Sequence, residues 1–135
     1  MEIAIYAAAI YFACCAMLPI AWIPRARFLR RVTWSKRPVW LFKSILPKGN
    51  GACAMWAYGF NCVILDQDWI ERARIEEISH ILRHEAGHLV MGHARTNTLL
   101  CATGLWFLLP FFRAQHEYQA EVFAAMTKDE RIVST

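Results

Sequence analysis

Residues 84–88 read His-Glu-Ala-Gly-His. Residues four apart on a helix lie on one face, so the imidazoles of His84 and His88 can reach one metal ion. Glu85 would lie at the edge of that face, where its carboxylate can hold a metal-bound water without taking a coordination position. Apolar residues recur at helical spacing on both sides, and no proline interrupts residues 69–96. The stretch therefore predicts a helix that carries two metal ligands and a general base.

A third metal ligand has to come from elsewhere in the chain, because a hydrolytic zinc site usually takes three protein ligands and leaves the fourth position to water. The candidates are His80, His93, His116, Glu117 and Glu121. His80 lies one turn before His84, and three ligands in line along one straight helix cannot surround a tetrahedral ion. Helical spacing puts Glu117 and Glu121 on one face of a following helix, beside small alanines that would allow a close approach. That run is the better source of the third ligand.

The two motifs together resemble those of the gluzincins, zinc metallopeptidases whose third ligand is a glutamate on a following helix. The pattern His-Glu-Ala-Gly-His-x-x-x-Gly-His with Glu-x-x-Ala-Glu-x-Phe-Ala spans about residues 75–127. It looks most like the integral-membrane zinc endopeptidases, a family that includes the CAAX prenyl protease and the heat-shock protease HtpX. It is also similar to the short ImmA/IrrE-like metallopeptidases. The resemblance implies that His84, His88 and Glu117 bind Zn²⁺ and that Glu85 is the general base.

The same resemblance implies a supporting role for Glu121. It stands where the membrane family has an aspartate that orients a histidine ligand. A zinc peptidase also needs groups that help the metal to stabilise the oxyanion. The residues considered for orienting or oxyanion-binding roles are Glu121, His93, Tyr118, His116 and Arg131. The sequence does not choose among the last four.

Two apolar segments raise the hydrophobic fraction to 57%, above the roughly 45–50% usual in soluble domains. Residues 3–23 contain no charged side chain, and a segment of that length can cross a bilayer. We therefore predict a single-pass anchor over residues 1–24, with a buried core helix as the alternative. Residues 99–112 are also uncharged but too short for a straight span. Membrane contact is preferred there over a buried core helix.

Charge is divided unevenly along the chain, with a net +7 on residues 1–50 and a net −3 on residues 51–135. Because the cations follow the apolar segment, the positive-inside rule predicts that the N-terminus lies outside and the catalytic part in the cytoplasm. Aromatic residues interleave with the cations of residues 25–50. Contact of this juxtamembrane linker with lipid headgroups is preferred to nucleic-acid binding. The cysteines, five in number and without a Cys-x-x-Cys pair, argue against a disulfide framework.

Residues 51–135 are expected to form the metallopeptidase domain. Residues 52–65 are rich in aromatic and β-branched residues around Gly59, which predicts a short hairpin or a bulged strand. By the resemblance, the edge of this strand would pair with an extended peptide substrate, and a plain core hairpin is the alternative. Asp66 and Asp68 can cap the following helix, which is expected to reach about residue 97.

The predicted fold is α+β and mainly helical. It is a minimal zincin-like core, made of a short β element, the metal helix and the Glu117 helix, with an N-terminal transmembrane helix. The predicted function is a membrane-anchored zinc metallopeptidase that hydrolyses peptide bonds through a zinc-activated water. The alternative is a non-catalytic, membrane-bound metal-binding or adaptor protein. The expected partners are a peptide or protein substrate and membrane lipid, without nucleic acid; a protein partner or an oligomer stays open.

Overall fold

The computed structural model describes residues 2–21, 26–34, 36–46, 51–128 and 133–134. Within them the α-helices are α1 (Glu2–Ala21), α2 (Gln67–Ile70), α3 (Ile75–Val90), α4 (His93–Ala102) and α5 (Leu109–Met126). The strands are β1 (Arg27–Trp34), β2 (Arg37–Ser44), β3 (Ala52–Ala57), β4 (Phe60–Asp66) and β5 (Val133–Ser134). A short 3-10 turn, Trp106–Leu108, precedes α5. The predicted boundary between linker and catalytic part, at residues 47–50, lies outside the described residues.

The strands form one mixed sheet in the order β3-β4-β2-β1-β5. β2 and β4 run parallel, and the other neighbouring pairs are antiparallel. β4 lies inside the core, because the four successive residues 62–65 are all buried. The turn between β3 and β4 has Tyr58 and Gly59 at positive φ, as two-residue hairpin turns of the favoured kind require. β3 is left as an edge strand, and α3 packs against it.

α3 packs one face on the sheet. Leu82, Ala86 and Leu89 of α3 share a core cluster with Val63 and Leu65 of β4. Their spacing of three and four residues is that of one helix face, which is the apolar periodicity seen in the sequence. The burial of this face fixes the rotation of α3 about its own axis. The polar face that carries the motif histidines is thereby turned towards α5.

α5 crosses α3 at Gly87. A methyl group on Gly87 would lie 3.0 Å from the Cα of Ala120 and 3.2 Å from the Cβ of Phe123, which is closer than packed side chains normally come. Ala120 and Ala124 are fully buried along the same contact. Small residues on both helices therefore allow a close approach of the two backbones. This approach brings Glu117, one turn before Ala120, next to α3.

The helix predicted to run from the Asp66 cap to about residue 97 is divided into three. Asp66 does cap α2, since its carboxylate accepts a hydrogen bond of 3.0 Å from the Trp69 N–H. α3 starts after Arg74 and ends at Val90. Gly92, with a φ of 80°, then turns the chain into α4. The prediction of one continuous helix is wrong because a left-handed residue ends the helical hydrogen-bond pattern.

α1 does not match the predicted transmembrane anchor. Across the stretches of chain that the structure describes, no helix has both the length and the apolar character needed to cross a membrane. The predicted anchor at residues 1–24 is therefore wrong, and so are the single-pass topology and the placement of the two ends derived from it. α1 instead contacts α4, and the Tyr58 hydroxyl of the β3–β4 turn donates a hydrogen bond to the Ala16 carbonyl. The Trp106 indole N–H donates to the Tyr11 hydroxyl at 3.3 Å.

The membrane contact predicted at residues 99–112 is not a span, so the finding on membrane-crossing helices does not test it and it stays a prediction. These residues form the end of α4, the 3-10 turn and the start of α5. A glycine at residue 104, with a φ of 75°, separates α4 from the 3-10 turn. A Cβ built on that glycine would lie 2.8 Å from the Tyr11 ring. The segment is therefore a tight connection that packs on α1.

The sheet is larger than the short β element that the sequence predicts. Residues 27–44, expected to belong to a juxtamembrane linker, contribute β1 and β2. The buried residues of these two strands include Val32, Trp34, Val39 and Leu41, whereas the arginines of β1 are exposed. The mixture of basic and aromatic residues is thus the pattern of a strand pair that contributes apolar side chains to two core clusters and leaves the arginines of β1 exposed. Contact of these arginines with lipid headgroups stays a prediction.

Candidate metal centre

Three side chains from α3 and α5 converge at the open end of the contact between these helices. Nε2 of His84 lies 3.2 Å from Nε2 of His88 and 3.2 Å from Oε2 of Glu117, and Nε2 of His88 lies 3.8 Å from Oε1 of Glu117. Ligand atoms about 2.0–2.2 Å from a tetrahedral ion lie about 3.3–3.6 Å from one another. Among the described residues, this is the one group of His, Cys, Asp or Glu side chains that could hold a metal ion. It consists of the three ligands that the sequence predicts.

The protonation pattern of the three groups also fits a cation. Nδ1 of His84 lies 3.1 Å from Oε2 of Glu121, and a carboxylate only accepts hydrogen bonds. With Nδ1 of His84 donating to Glu121, Nε2 is the nitrogen that faces the other two groups. Glu117 presents a carboxylate oxygen to the same point. Converging lone pairs repel each other unless a cation or a proton lies between them, so the donor set suits a divalent metal.

His88 is held in the neutral form that ligates metals. Burial lowers the pKa of its imidazole to about 4, because the charged form loses its hydration. The nearby His84, His93 and His116 lower this pKa further, and the Glu117 carboxylate partly opposes the shift. A neutral imidazole needs no deprotonation before it binds a cation.

Glu121 takes the position that the resemblance implies, behind a histidine ligand. Besides its contact with His84, its Oε1 lies 3.3 Å from Nε2 of His80. The longer glutamate side chain therefore reaches both histidines from α5. His80 is turned towards Glu121, which agrees with the argument that it is not the third ligand. Carboxylate partners of this kind fix the tautomer and the ring orientation of a metal-binding histidine.

Glu85 lies beside the three ligands and is bonded to the edge of the sheet. Its side chain is 7% exposed, and its Oε2 accepts a hydrogen bond of 2.6 Å from the Ala54 N–H. This N–H is free to bond to α3 because β3 has no neighbouring strand on that side. Burial raises the pKa of Glu85 to about 7, although His84 and the Ala54 N–H partly lower it. A carboxyl group with a pKa near neutrality can take up and release a proton at physiological pH.

A cavity of about 660 Å³ adjoins this group, a volume within the usual range for ligand sites. Its walls include His84, Glu85 and Glu117 together with Arg113, and Trp69 supplies an apolar surface. Arg113 did not emerge from the sequence as a candidate. It lies four residues before Glu117 on α5, and that helical spacing is the signal that could have found it. The arrangement places a permanent cation in the same space as the proposed ligands and base.

The other predicted candidates lie away from this cavity. Tyr118 is 71% exposed, and neither it nor His116 is among the residues that line the cavity. His93 is buried behind His88, and His116 stacks on it with ring centroids 4.0 Å apart. None of Tyr118, His116 and His93 lines this cavity, and Arg131 lies outside the described residues.

Comparisons with protein-family models, with curated proteins and with solved structures each gave no match. The geometry of these side chains and the two motifs in the chain are therefore the observations that indicate a function.

Proposed function

We propose that this protein is a zinc-dependent peptidase. The observation that carries the proposal is the juxtaposition of three convergent ligand atoms with a buried carboxyl group whose pKa is near 7, beside a cavity that His84, Glu85 and Glu117 line. A purely structural metal site has no need of such a carboxyl group. The combination of His84, His88 and Glu117 with Glu85 is the set that the sequence motif assigns to hydrolysis.

The ligands would be Nε2 of His84, Nε2 of His88 and a carboxylate oxygen of Glu117. Two imidazoles and one carboxylate are typical of catalytic zinc, and three protein ligands leave one coordination position open. Bound Zn²⁺ supplies Lewis acidity, which lowers the pKa of water towards 7 and polarises a carbonyl group. The identity of the ion is part of the proposal.

Glu85 carries the proton. With Oε2 held by the Ala54 N–H, Oε1 is the oxygen available to take a proton from the attacking water. Glu85 then returns this proton to the nitrogen of the leaving amine, which could not leave as an anion. Arg113 supplies a fixed positive charge to the cavity, where it can bind a developing oxyanion or a substrate carboxylate.

The substrate would approach along the edge of β3. In an edge strand, alternate residues direct their N–H and C=O groups away from the sheet. Two of these groups already have partners, since the Ala54 N–H bonds to Glu85 and the Trp56 carbonyl accepts from the Thr98 hydroxyl at 2.6 Å. Ala52, which lines the cavity, has the same outward orientation and lies at the open end. An extended peptide could therefore pair with the strand near Ala52.

The experiment combines metal analysis with a hydrolysis assay on an unstructured protein such as casein. Glu85→Gln should keep stoichiometric zinc and the fold but lose hydrolysis, because the amide cannot carry the proton. His84→Ala and Glu117→Ala should each lose stoichiometric zinc. Hydrolysis by Glu85→Gln at the rate of the unchanged protein would rule out the proposed mechanism. Full zinc retention in Glu117→Ala would move the third ligand elsewhere.

A metal-binding protein without hydrolytic activity is the second candidate. The observation in its favour is the bond between Glu85 and Ala54, because a buried carboxyl group that bonds to a strand can serve to dock α3 on the sheet. A zinc site closed by a fourth protein ligand, with no turnover of casein, would support this candidate. An open site with turnover would exclude it.

A further inference from the structure

We infer that His93 is a positioning residue that fixes the tautomer of His88 and thereby strengthens metal binding. The inference rests on the metal site of the proposed function but not on peptide hydrolysis. It concerns the buried side of the site, where sequence reasoning left His93 as one of several alternatives.

The turn between α3 and α4 puts His93 behind His88. The two residues are five apart, which is not a same-face spacing on one straight helix. Gly92, with a φ of 80°, interrupts the helix between them and turns the chain, so that Nδ1 of His93 lies 3.2 Å from Nδ1 of His88. His93 is 4% exposed, so water does not compete for this contact. A residue with a side chain at position 92 would not adopt this backbone conformation readily.

A hydrogen bond on the far side of His93 sets the direction of the chain. Nε2 of His93 lies 2.8 Å from Oε1 of Gln119, an acceptor oxygen, so the proton of the neutral ring is on Nε2. Nδ1 of His93 then has a lone pair and accepts from Nδ1 of His88. His88 is consequently protonated on Nδ1, and its Nε2 presents a lone pair towards His84 and Glu117. With the Gln119 oxygen as acceptor, the tautomer of His88 that ligates is the one that satisfies the chain of contacts from Gln119 through His93 to His88.

The two histidine ligands thus have partners of different charge. His84 has the half-exposed carboxylate of Glu121, whereas His88 has the neutral ring of His93 in a buried position. A carboxylate in place of His93 would be a buried charge, and burial would oppose its ionisation. An imidazole supplies the acceptor without that charge. The ring also stacks on His116, with planes 9° apart, and this contact keeps it in place.

Two substitutions separate the acceptor from the ring. His93→Phe keeps a flat ring that can stack on His116 but offers no acceptor to His88. His93→Asn removes the ring, while its Oδ1 can take the place of Nδ1 and accept from His88. Zinc affinity of the full-length chain is measured by competition with a chromophoric chelator at fixed pH, and thermal unfolding of the metal-free protein reports on the fold.

Zinc affinity should be retained in the variant that keeps the hydrogen-bond acceptor, and thermal stability should be retained in the variant that keeps the ring. We expect His93→Phe to weaken zinc binding about 10–100-fold, as is usual for loss of a partner of a metal-binding histidine, and His93→Asn to remain within about threefold of the unchanged protein. The reverse order, or equal weakening in both, overturns the inference. Absence of zinc binding by the unchanged protein overturns the metal site and this inference with it. Normal zinc binding without hydrolysis overturns the peptidase proposal alone.

A second measurement needs no substitution. Long-range ¹H–¹⁵N correlations of the metal-free protein distinguish the two tautomers of each histidine. We expect His88 to be protonated on Nδ1 before any metal is added. A predominant Nε2–H form of His88 overturns the inference, even if both variants fail to fold.

Discussion

Glu121 on α5 and His84 on α3 are joined by a contact of 3.1 Å between Oε2 and Nδ1. The contact fixes which nitrogen of His84 faces the proposed metal, and it ties the two helices together beside the ligand set. Glu121 belongs to the same helix as Glu117, so α5 contributes both a ligand and the partner of a ligand.

The first prediction concerns Glu121→Ala. Loss of this carboxylate frees the ring of His84 to rotate and to exchange tautomers, so zinc affinity should fall about 10–100-fold with the ligands intact. Glu76→Ala is a matched control. It removes a carboxylate that lines the same cavity but lies near the start of α3, two turns before His84. Chelator competition measures both variants. Equal losses in the two would show that net negative charge, rather than the contact with His84, is what matters.

The second prediction concerns Gly87→Ala. A methyl group here would lie 3.0 Å from the backbone of Ala120, so α5 has to move away from α3. We expect the free energy of unfolding to fall by about 1–3 kcal/mol, the usual cost of overpacking, and zinc binding to weaken because Glu117 moves with α5. Urea unfolding of the metal-free protein measures the first effect. The sign of the change is the test. Alanine has a higher helix propensity than glycine, by about 1 kcal/mol, so Gly87→Ala would increase the free energy of unfolding if the space beside residue 87 were open.

The third prediction concerns the pH dependence of stability in the metal-free protein. The pKa of Glu85 is raised from an ordinary value of 4.5 to about 7 in the folded state. Between these values Glu85 binds more protons in the folded state than in the unfolded state, so its contribution to the free energy of unfolding should fall as pH rises and level off above the folded pKa. The lowered pKa of His88 acts in the opposite direction, so the contribution of Glu85 is read from the difference between the unchanged protein and a variant without this carboxyl group. The full effect is roughly 3 kcal/mol, taking about 1.4 kcal/mol for each pKa unit.

Glu85→Gln should remove this dependence while it keeps a carbonyl oxygen for the Ala54 N–H. The measurement is urea unfolding of both proteins at about pH 5 and pH 8 with a chelator present. The stability of the unchanged protein relative to Glu85→Gln should be greater at the lower pH. A difference that stays constant across this interval would contradict the raised pKa.

The fourth prediction concerns Arg113→Ala. Its guanidinium lines the cavity but is not a metal ligand, so zinc affinity should stay within about threefold while kcat/KM falls about 100-fold, as for loss of one oxyanion donor. Arg95→Ala is the control, since that guanidinium lies over the Trp56 ring, 5.5 Å from its centroid, at a site on α4. Similar kcat/KM values for the two variants would exclude a role for Arg113 in binding the oxyanion or the substrate.

The metal helix was predictable because all its information is local. The spacing of two histidines and the apolar periodicity around them need only the geometry of one helix, and α3 contains both. The Asp66 cap is likewise a contact between residues three apart. Convergence of Glu117 with the two histidines depends on the close approach at Gly87, and the small residues of the second motif were the sequence signal for it.

The sheet was harder to predict because its key pairings join distant segments. β2 pairs in parallel with β4, although β3 lies between these two strands in the sequence. No local pattern specifies such a partner. The exposed arginines of β1 obscured the alternation of polar and apolar residues that indicates a strand. The uncharged residues 3–23 before it favoured the prediction of a membrane anchor. The role proposed for His93 could not be predicted from the sequence for a related reason. It depends on the turn at Gly92 and on Gln119 in another helix.

The division of the ligand set between α3 and α5 has a consequence for the lifetime of the protein. An ion held by His84, His88 and Glu117 would act as a cross-link between two segments that are well separated in the chain, and it would suppress the local opening that exposes α5 to proteolytic cleavage. Supply or withdrawal of the ion would then alter how long the chain survives in the presence of proteases, independently of any reaction it performs.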